Sequence, residues 1–170
     1  MTYRYCPVCG NPLEIQTQGG MERLACPTGD WVHWDNPTPV VAAIVERNDH
    51  IVLVQSHGWP ASWFGLVTGF LEKEEHPDEA VLREVKEELG LDAQMGGFVG
   101  LYPFFRRNQL LIVYHVLAHE GQIQLEAAEL AAYREVPIAQ VQPWNSGTGY
   151  GLADWLKTKG YEPDFIELKR

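Results

Sequence analysis

The clearest structural signal in the chain is the segment GFLEKEEHPDEAVLREVKEELGL, residues 69–91. Four apolar side chains in it recur at helical spacing, and they are Val81, Leu82, Val85 and Leu89. This periodicity predicts an amphipathic helix over residues 77–89. Pro77 suits the first helical position and Gly90 suits the position just after the last turn. The segment therefore specifies a helix with a defined start, a defined end and one apolar face.

A second face of this predicted helix carries three glutamates, Glu84, Glu87 and Glu88. Like charges one turn apart destabilise a helix by a few tenths of a kcal/mol per pair, and carboxylates are disfavoured at a helix C-terminus. Arg83 is the only compensating charge that the helix itself offers on this side. A solvated charged face is the common explanation of such a run. The glycine-rich turn at a fixed offset before the helix favours a functional explanation instead.

A divalent cation would relieve this repulsion. Mg²⁺ prefers carboxylate oxygens, keeps several waters and is often completed by substrate phosphates. A cation of this kind makes a bound water a better nucleophile, and a carboxylate that does not bind the metal can accept the proton of that water. Gly69 has no side chain, so its backbone can approach metal and phosphate closely. The pattern indicates a metal-dependent hydrolase of phosphate anhydrides.

The same segment resembles the Nudix box, G-x5-E-x7-R-E-U-x-E-E-x-G-U, in which U is an aliphatic residue. All nine constrained positions are met, and they are Gly69, Glu75, Arg83, Glu84, Val85, Glu87, Glu88, Gly90 and Leu91. The resemblance implies an α/β fold, the Nudix α/β/α sandwich with a mixed sheet, over roughly residues 38–165. It also implies hydrolysis of a nucleoside diphosphate linked to another moiety, such as ADP-ribose, NAD(H) or FAD.

The resemblance further implies which residues hold the metal. Glu84 and Glu88 would be the principal ligands of Mg²⁺ or Mn²⁺, and Glu87 would bind the metal directly or through water. The general base varies within the family, so Glu87, Glu126 and Glu129 all remain candidates for it.

Three other positions of the box have supporting roles by the same resemblance. Arg83 would orient the glutamates by ion pairing. Glu75 would support the loop before the helix, and Gly69 would bring its backbone to the metal.

The rest of the chain supplies the elements that such a fold needs. Four segments have strand character, and they are residues 40–46, 50–56, 97–105 and 110–119. Residues 149–160 predict a second amphipathic helix. Residues 62–72 are interrupted by glycines and suggest turns rather than a plain strand, and residues 125–133 are helix-prone or form a loop turn. This order predicts a mixed sheet between helices.

Residues 1–35 differ in composition from the rest of the chain, since they contain all three cysteines. They predict a small zinc-ribbon-like module before a Nudix domain over residues 36–170. Cys6 and Cys9 form a C-x2-C pair, and Cys26 follows at a distance typical of zinc ribbons. Gly29 stands where a fourth cysteine would complete the pattern. Asp30 or His33 could supply the fourth ligand to Zn²⁺, and a degenerate ribbon without zinc is the alternative.

This module resembles the N-terminal zinc ribbon of the NADH-pyrophosphatase-like branch of the Nudix family. There a CPxCG pair is followed by NPxPVV, and this chain has HWDNPTPVV at residues 33–41. The branch pattern SQPWPFPxS is replaced after the box by GLYPFFRRNQLL at residues 100–111. The sequence therefore leaves the group beyond the diphosphate open. The ribbon would stabilise the protein or contact a second copy in a homodimer.

Several side chains outside the box are further candidates for substrate contact. The aromatic ones could stack on a base, and they are Trp59, Trp63, Phe64, Tyr102, Phe104 and Phe105. Arg106 and Arg107 could meet phosphate, and residues 144–151 could form a substrate-facing loop. Isolated aromatic residues belong more often to a core, a hairpin tip is often merely solvated, and His115 fits a core position.

Composition narrows the functional classes. With 13 Lys and Arg against 23 Asp and Glu, the formal net charge is −10, which disfavours broad binding to nucleic acid or anionic membranes. No apolar run reaches the length of a membrane span, and no signal-peptide pattern opens the chain, so we expect a cytoplasmic protein. One rival to a hydrolase is a catalytically silent nucleotide sensor or protein-interaction module, with the ribbon as a protein-contact surface. Another is a zinc-ribbon adaptor for nucleic acid. The three glutamates argue against the first rival, and the acidic charge argues against the second.

Overall fold

A computed structural model of the chain describes residues 3–167. It divides into two compact units, Met1–Asn36 and Pro37–Arg170. Each unit has its own sheet. Among the described residues, no helix is both long enough and apolar enough to cross a membrane.

The first unit is built on a β-hairpin. Strand β1 (Glu14–Gln18) pairs antiparallel with strand β2 (Met21–Ala25). Gly19 and Gly20 connect them with positive φ angles of 61° and 81°, which glycine adopts without steric cost. Isolated bridges between Tyr5 and Pro12 and between Ala25 and Val32 add to this hairpin. The unit is small and depends on short-range pairing rather than on a large core.

The second unit contains a six-stranded mixed sheet. Its strands are β3 (Thr38–Arg47), β4 (His50–Ser56), β5 (Val67–Phe70), β6 (Ala93–Phe104), β7 (Gln109–Ala118) and β8 (Leu130–Pro137). The strand order is β6-β7-β3-β4-β8. Strand β5 pairs with the first half of β3, and β4 pairs with the second half of β3 on the same edge. β3 and β7 are parallel, whereas the other pairs are antiparallel.

Two helices cover the two faces of this sheet. Along β3 the buried side chains alternate, so that Val41, Ala43 and Val45 pack with helix α1 (Pro77–Leu89). The intervening residues Val40, Ala42 and Ile44 pack with helix α2 (Gly149–Thr158). A strand that is apolar on both faces is typical of a sheet buried between two layers. The predicted α/β/α sandwich is confirmed.

The predicted elements match the structure unevenly. Helix α1 has the predicted bounds, and α2 ends two residues earlier than predicted. The helical tendency of residues 125–133 is wrong as a prediction of structure, because this stretch holds a turn and the start of β8. Residues 67–70 form a regular strand although turns were expected, because they pair with Val40–Ala43 of β3.

Candidate active site

Arg83 connects three of the predicted carboxylates. Its Nε and Nη2 donate to the two oxygens of Glu75 over 2.7 and 3.0 Å. Its Nη1 donates to Glu84 Oε1 over 2.7 Å and to Glu87 Oε2 over 3.0 Å. The planar guanidinium suits such a fork of acceptors. These bonds raise the pKa of Arg83 further, and they give the glutamates a cation within the protein itself.

The loop before α1 is fixed by the same arginine. Arg83 Nη2 also donates to the carbonyl oxygen of Phe70 over 3.2 Å, and the backbone N–H of Glu72 donates to Glu75 Oε2 over 3.1 Å. The hydrogen bonds from Arg83 hold the pKa of Glu75 below its usual range. The end of β5, the loop and the helix are therefore held together by Glu75 and Arg83.

Gly69 lies directly against Glu84. A Cβ atom built on Gly69 would be 1.8 Å from Glu84 Cδ and 1.9 Å from its Oε1. No side chain fits at that distance, so the glycine is required by the position of the carboxylate. Strand β5 thereby sets where Glu84 can sit, and Glu84 is only 9% exposed.

Glu88 is the most deeply buried carboxylate of the box. Its side chain belongs to a residue that is 5% exposed, and its Oε2 has no hydrogen-bond partner among the described residues. Burial, together with the charges of Glu84 and Glu129, raises the pKa of Glu88 to about 8, although a hydrogen bond to the Thr68 backbone acts in the opposite direction. A buried carboxylate with an unpartnered oxygen is unfavourable unless something binds it.

These residues fit a hard divalent cation. Burial also raises the pKa of Glu84, against the opposing effect of Arg83. Two buried carboxylates whose charged forms are disfavoured are suited to a cation that would neutralise both, with oxygen donors of the kind that Mg²⁺ prefers. Glu87 lies on the same helix face and, like Glu84, is paired with Arg83, but it is exposed. Glu84 and Glu88 are thus better placed than Glu87 to hold the ion directly.

All three glutamates line one cleft of about 1210 Å³, which lies within the second unit. Its acidic wall comprises Glu72, Glu84, Glu87, Glu88, Glu126 and Glu129, with Arg83 beside them. Its aromatic wall comprises Trp59, Trp63, Phe64, Phe70, Phe104 and Trp144. Arg106 and Arg107 also line the cleft, as do residues 144–148. The fold thus gathers most of the predicted contact residues around a space large enough for a nucleotide conjugate.

Two candidates from the sequence, Tyr102 and Phe105, lie elsewhere, and His115 occupies the core position predicted for it. Tyr102 donates its hydroxyl to Asp154 on α2 over 2.9 Å and does not line the cleft. Phe105 is 89% exposed at the turn between β6 and β7. His115 is buried with its Nε2 2.7 Å from Glu46 Oε2, which makes it a core histidine with a partner.

Both loop glutamates that were candidates for the general base line the cleft. The backbone N–H of Glu126 donates to the carbonyl oxygen of Glu88 over 3.0 Å, and the carbonyl oxygen of Glu129 accepts from the N–H of His57 over 3.0 Å. The turn that carries them is therefore attached to the end of α1 and to the end of β4. The charge of Glu129 contributes to the raised pKa of both Glu84 and Glu88, so it acts on the two buried glutamates.

Some cleft residues were missed from the sequence. Thr68, Ser56 and Gln109 line the site, and nothing in their local sequence distinguishes them. The register of the sheet is the signal that places Thr68, which pairs with Ala42 one residue before Gly69 pairs with Val41.

The cysteines form a separate cluster in the first unit. The sulfur atoms of Cys6, Cys9 and Cys26 lie within 4.8 Å of one another, as a shared metal would require, and residues 3–167 hold no other such group of three. A hydrogen bond with the Thr28 hydroxyl lowers the pKa of Cys26 to about 7. The donors therefore fit Zn²⁺, which thiolates bind well.

The two predicted fourth ligands differ in their surroundings. Asp30 Oδ2 lies 3.7 Å from Cys26 Sγ. The ring of His33 stacks on Trp31 with 5.8 Å between the centroids, and its Nε2 lies 3.7 Å from Asp35. Asp30 thus contacts one of the three sulfur atoms, and the identity of the fourth ligand stays a prediction.

Known proteins that are similar in sequence to this chain include several named NAD-capped RNA hydrolases. A protein named NAD-capped RNA hydrolase NudC from Vibrio vulnificus (strain CMCP6) is 28% identical over 131 residues, 76% of this chain and 49% of that protein. The human NAD-capped RNA hydrolase NUDT12 is 31% identical over 148 residues, 82% of this chain and 32% of that protein. The chain thus spans about half of the bacterial relative and a third of the human one.

Solved structures and a family model agree with these relatives. A NUDIX hydrolase from Nitrosomonas europaea superposes with a TM-score of 0.78, 20% identity and 97% coverage of both chains. An ADP-ribose pyrophosphatase from Streptococcus suis 89-1591 gives a TM-score of 0.60 at 21% identity, covering 78% of this chain and 98% of that one. These two likenesses show the fold. The model of the NUDIX domain matches residues 36–156, so the chain belongs to the NUDIX domain family.

Proposed function

We propose that this chain is a divalent-metal-dependent pyrophosphohydrolase that cleaves the diphosphate linkage of a nucleoside diphosphate joined to another moiety. The observation that carries the proposal is Glu88, which is buried beside Glu84 in the wall of the cleft with one oxygen unpartnered. The names of the relatives, NAD-capped RNA hydrolases, describe chemistry of the same class. ADP-ribose, NAD(H) and FAD are the small substrates we propose to test first.

Glu84 and Glu88 would hold Mg²⁺ or Mn²⁺, with Glu87 at the exposed edge of the site. When bound, the cation would neutralise phosphate charge and lower the pKa of a coordinated water. The chain's own contribution is positional: Gly69 leaves room for Glu84, and Arg83 holds Glu84 and Glu87 in fixed orientations. Preorganised groups of this kind do not have to rearrange during the reaction.

We propose Glu129 as the general base. Its residue is exposed, it lines the cleft, and its charge acts on both buried glutamates. The oxygen of a water molecule would attack one phosphorus while the bond from that phosphorus to the bridging oxygen breaks. The proton of the water would pass to the Glu129 carboxylate, and two monophosphates would leave.

The substrate panel should include RNA as well as small molecules. The expectation that this chain has no nucleic-acid partner stays a prediction, because the named relatives act on capped RNA. A homodimer and a cytoplasmic location also stay predictions. An RNA oligonucleotide carrying a 5′ NAD cap therefore belongs beside ADP-ribose, NADH and FAD.

The central test is turnover of this panel with Mg²⁺ or Mn²⁺, followed by separation of the products. We expect at least one conjugate to give two monophosphates, and Glu88→Gln to lower kcat by about 100-fold or more, because it removes a charged ligand of the metal. Glu79→Gln is the matched control, since Glu79 is exposed on the same helix. Absence of turnover with every conjugate would favour the silent nucleotide sensor.

The assignment of the base has its own test. Glu129→Gln should lower kcat by about 10²- to 10⁴-fold while Mn²⁺ affinity, measured by calorimetry, changes little. Glu126→Gln serves as the comparison, because Glu126 lines the same cleft and its Oε1 accepts from the Ala128 N–H. A larger loss in Glu126→Gln than in Glu129→Gln would move the role to Glu126.

A further inference from the structure

Trp59 is an exposed indole in the wall of the cleft. It lies in the segment between β4 and β5, and 39% of its surface is exposed. Within residues 3–167, no aromatic ring or cationic group stacks on it. An apolar ring of this size left open to water inside a substrate-sized cleft is typical of a binding surface.

The Trp59 ring packs against a part of the backbone that is fixed by the sheet. A Cβ atom built on Gly65 would lie 3.2 Å from both Cη2 and Cζ3 of Trp59, so the indole rests on the backbone at a glycine. That backbone is fixed, because Gly65 and Val54 of β4 exchange two hydrogen bonds of 2.8 and 2.9 Å. The backbone N–H of Trp59 donates to the Ser56 carbonyl oxygen over 3.3 Å. The position of the indole is thus tied to the sheet.

The surrounding segment is also restrained. The Gln55 side-chain amide donates to the carbonyl oxygens of Pro60 and Trp63 over 3.0 and 3.1 Å. Gln55 itself is in β4, so one side chain connects the strand to both ends of the turn that follows Trp59. A restrained ring loses little further freedom when a ligand stacks on it, which favours binding.

Two of the neighbouring aromatic residues, Phe64 and Trp144, are less available. The guanidinium of Arg134 lies over the Phe64 ring, 3.7 Å from its centroid. Trp144 is only 5% exposed and belongs to the core packed against α2. Trp59 therefore combines exposure, support and a free surface better than either of them.

We propose that Trp59 is the stacking platform for the planar aromatic ring of the substrate, the nucleobase of the nucleoside diphosphate. The inference deepens the proposed function, since it concerns the same cleft and names what is recognised beyond the diphosphate. Every base presents a π face, so stacking favours nucleotide conjugates over sugar or lipid diphosphates without selecting one base strongly.

Equilibrium binding of AMP tests the platform without turnover. AMP has no diphosphate for the proposed reaction to cleave, so its affinity is measurable by calorimetry with Mg²⁺ present. Trp59→Ala should weaken AMP binding by about fivefold or more, and Trp59→Phe should restore most of it, because a phenyl ring also stacks. Ribose 5-phosphate, which lacks the base, should bind Trp59→Ala and the unaltered protein alike. Phe98→Ala is the control, an exposed aromatic residue that does not line the cleft.

The outcomes separate this inference from the proposed function. Equal AMP affinity in the Trp59→Ala variant and the unaltered protein would overturn it, and so would an equal loss for AMP and ribose 5-phosphate. Absence of AMP binding to the unaltered protein would overturn it as well. If binding depends on Trp59 while no conjugate of the panel is hydrolysed, the platform stands and the hydrolase assignment fails.

Discussion

At the scale of single residues, Glu88 links stability to function. In the metal-free protein its pKa is raised to about 8, from about 4.5 in an unfolded chain. Between pH ~4.5 and pH ~8 the Glu88 carboxyl is therefore protonated in the folded state and ionised in the unfolded state. The stability that Glu88 contributes is full below pH ~4.5 and is lost as the pH rises to about 8.

Glu88→Gln should consequently stabilise the metal-free protein at alkaline pH. With EDTA present at pH 8.5, we expect the free energy of unfolding to rise by on the order of 2 kcal/mol, because the variant has no buried charge to accommodate. At pH 5 the difference should be smaller. Urea unfolding at both pH values measures this, with Glu79→Gln as the control, and a variant equally stable or less stable at pH 8.5 would contradict it.

Gly69→Ala should displace the Glu84 carboxylate from its present position. The added methyl group would overlap the Glu84 carboxylate, so the glutamate must move. We expect a fall in kcat of about 10-fold or more, because misplaced catalytic groups lose rate steeply, and destabilisation of about 1–3 kcal/mol. Steady-state kinetics and urea unfolding measure the two effects. Gly121→Ala is the control, since its added Cβ would lie at an ordinary contact distance of 3.4 Å from Leu91. A Gly69→Ala variant with normal kcat would refute the role of Gly69 in positioning Glu84.

How far the site could be predicted depends on the range of each contact. The pair Arg83–Glu87 follows from helical spacing alone. The resemblance predicted that Arg83 orients the glutamates by ion pairing, and Arg83 does pair with Glu84. The contact between Gly69 and Glu84 joins a strand to a helix, and only packing shows how tight it is. Trp59 could not be singled out from its aromatic neighbours, because its exposure is set by Gly65 and the sheet behind it.

At the scale of elements, helix α1 has a weak beginning. His76 occupies the N-cap position without a side-chain hydrogen bond, and Glu79 stands three residues later. His76→Ser would complete a capping box, in which serine and Glu79 satisfy each other's backbone N–H groups. We expect a gain of about 1 kcal/mol in the free energy of unfolding and unchanged kcat. Chemical denaturation and a turnover assay measure the two quantities, and His76→Ala is the control. Equal stability of the serine and alanine variants would contradict the proposed cap.

Element prediction succeeded where local pattern and tertiary structure agree. The helix α1 has its apolar stripe, its proline and its terminal glycine in one segment, so its bounds were predictable. Residues 125–133 have helix-forming composition, but Leu130 onward pairs with β4. Pairing between strands that are distant in sequence overrides local propensity, and a single sequence does not show that partner.

At the scale of the whole molecule, the first unit should carry one zinc ion. Three clustered sulfur atoms are a strong donor set for Zn²⁺. Mass spectrometry of the native protein should find one zinc per chain, and Cys26→Ser should lose it and lower the unfolding temperature. Glu88→Gln should retain the zinc, since Glu88 belongs to the other unit. Zinc-free protein of unchanged stability after reductive purification would refute the site.

The close contact between Gly69 and Glu84 also constrains how this protein can evolve. Any residue larger than glycine at position 69 overlaps the carboxylate where it now lies, so such a residue requires Glu84 to move or to be absent. Loss of Glu84 in a descendant would release position 69 to drift. A substituted glycine there would consequently mark a lineage in which Glu84 has been displaced or lost, even where the rest of the fold is intact.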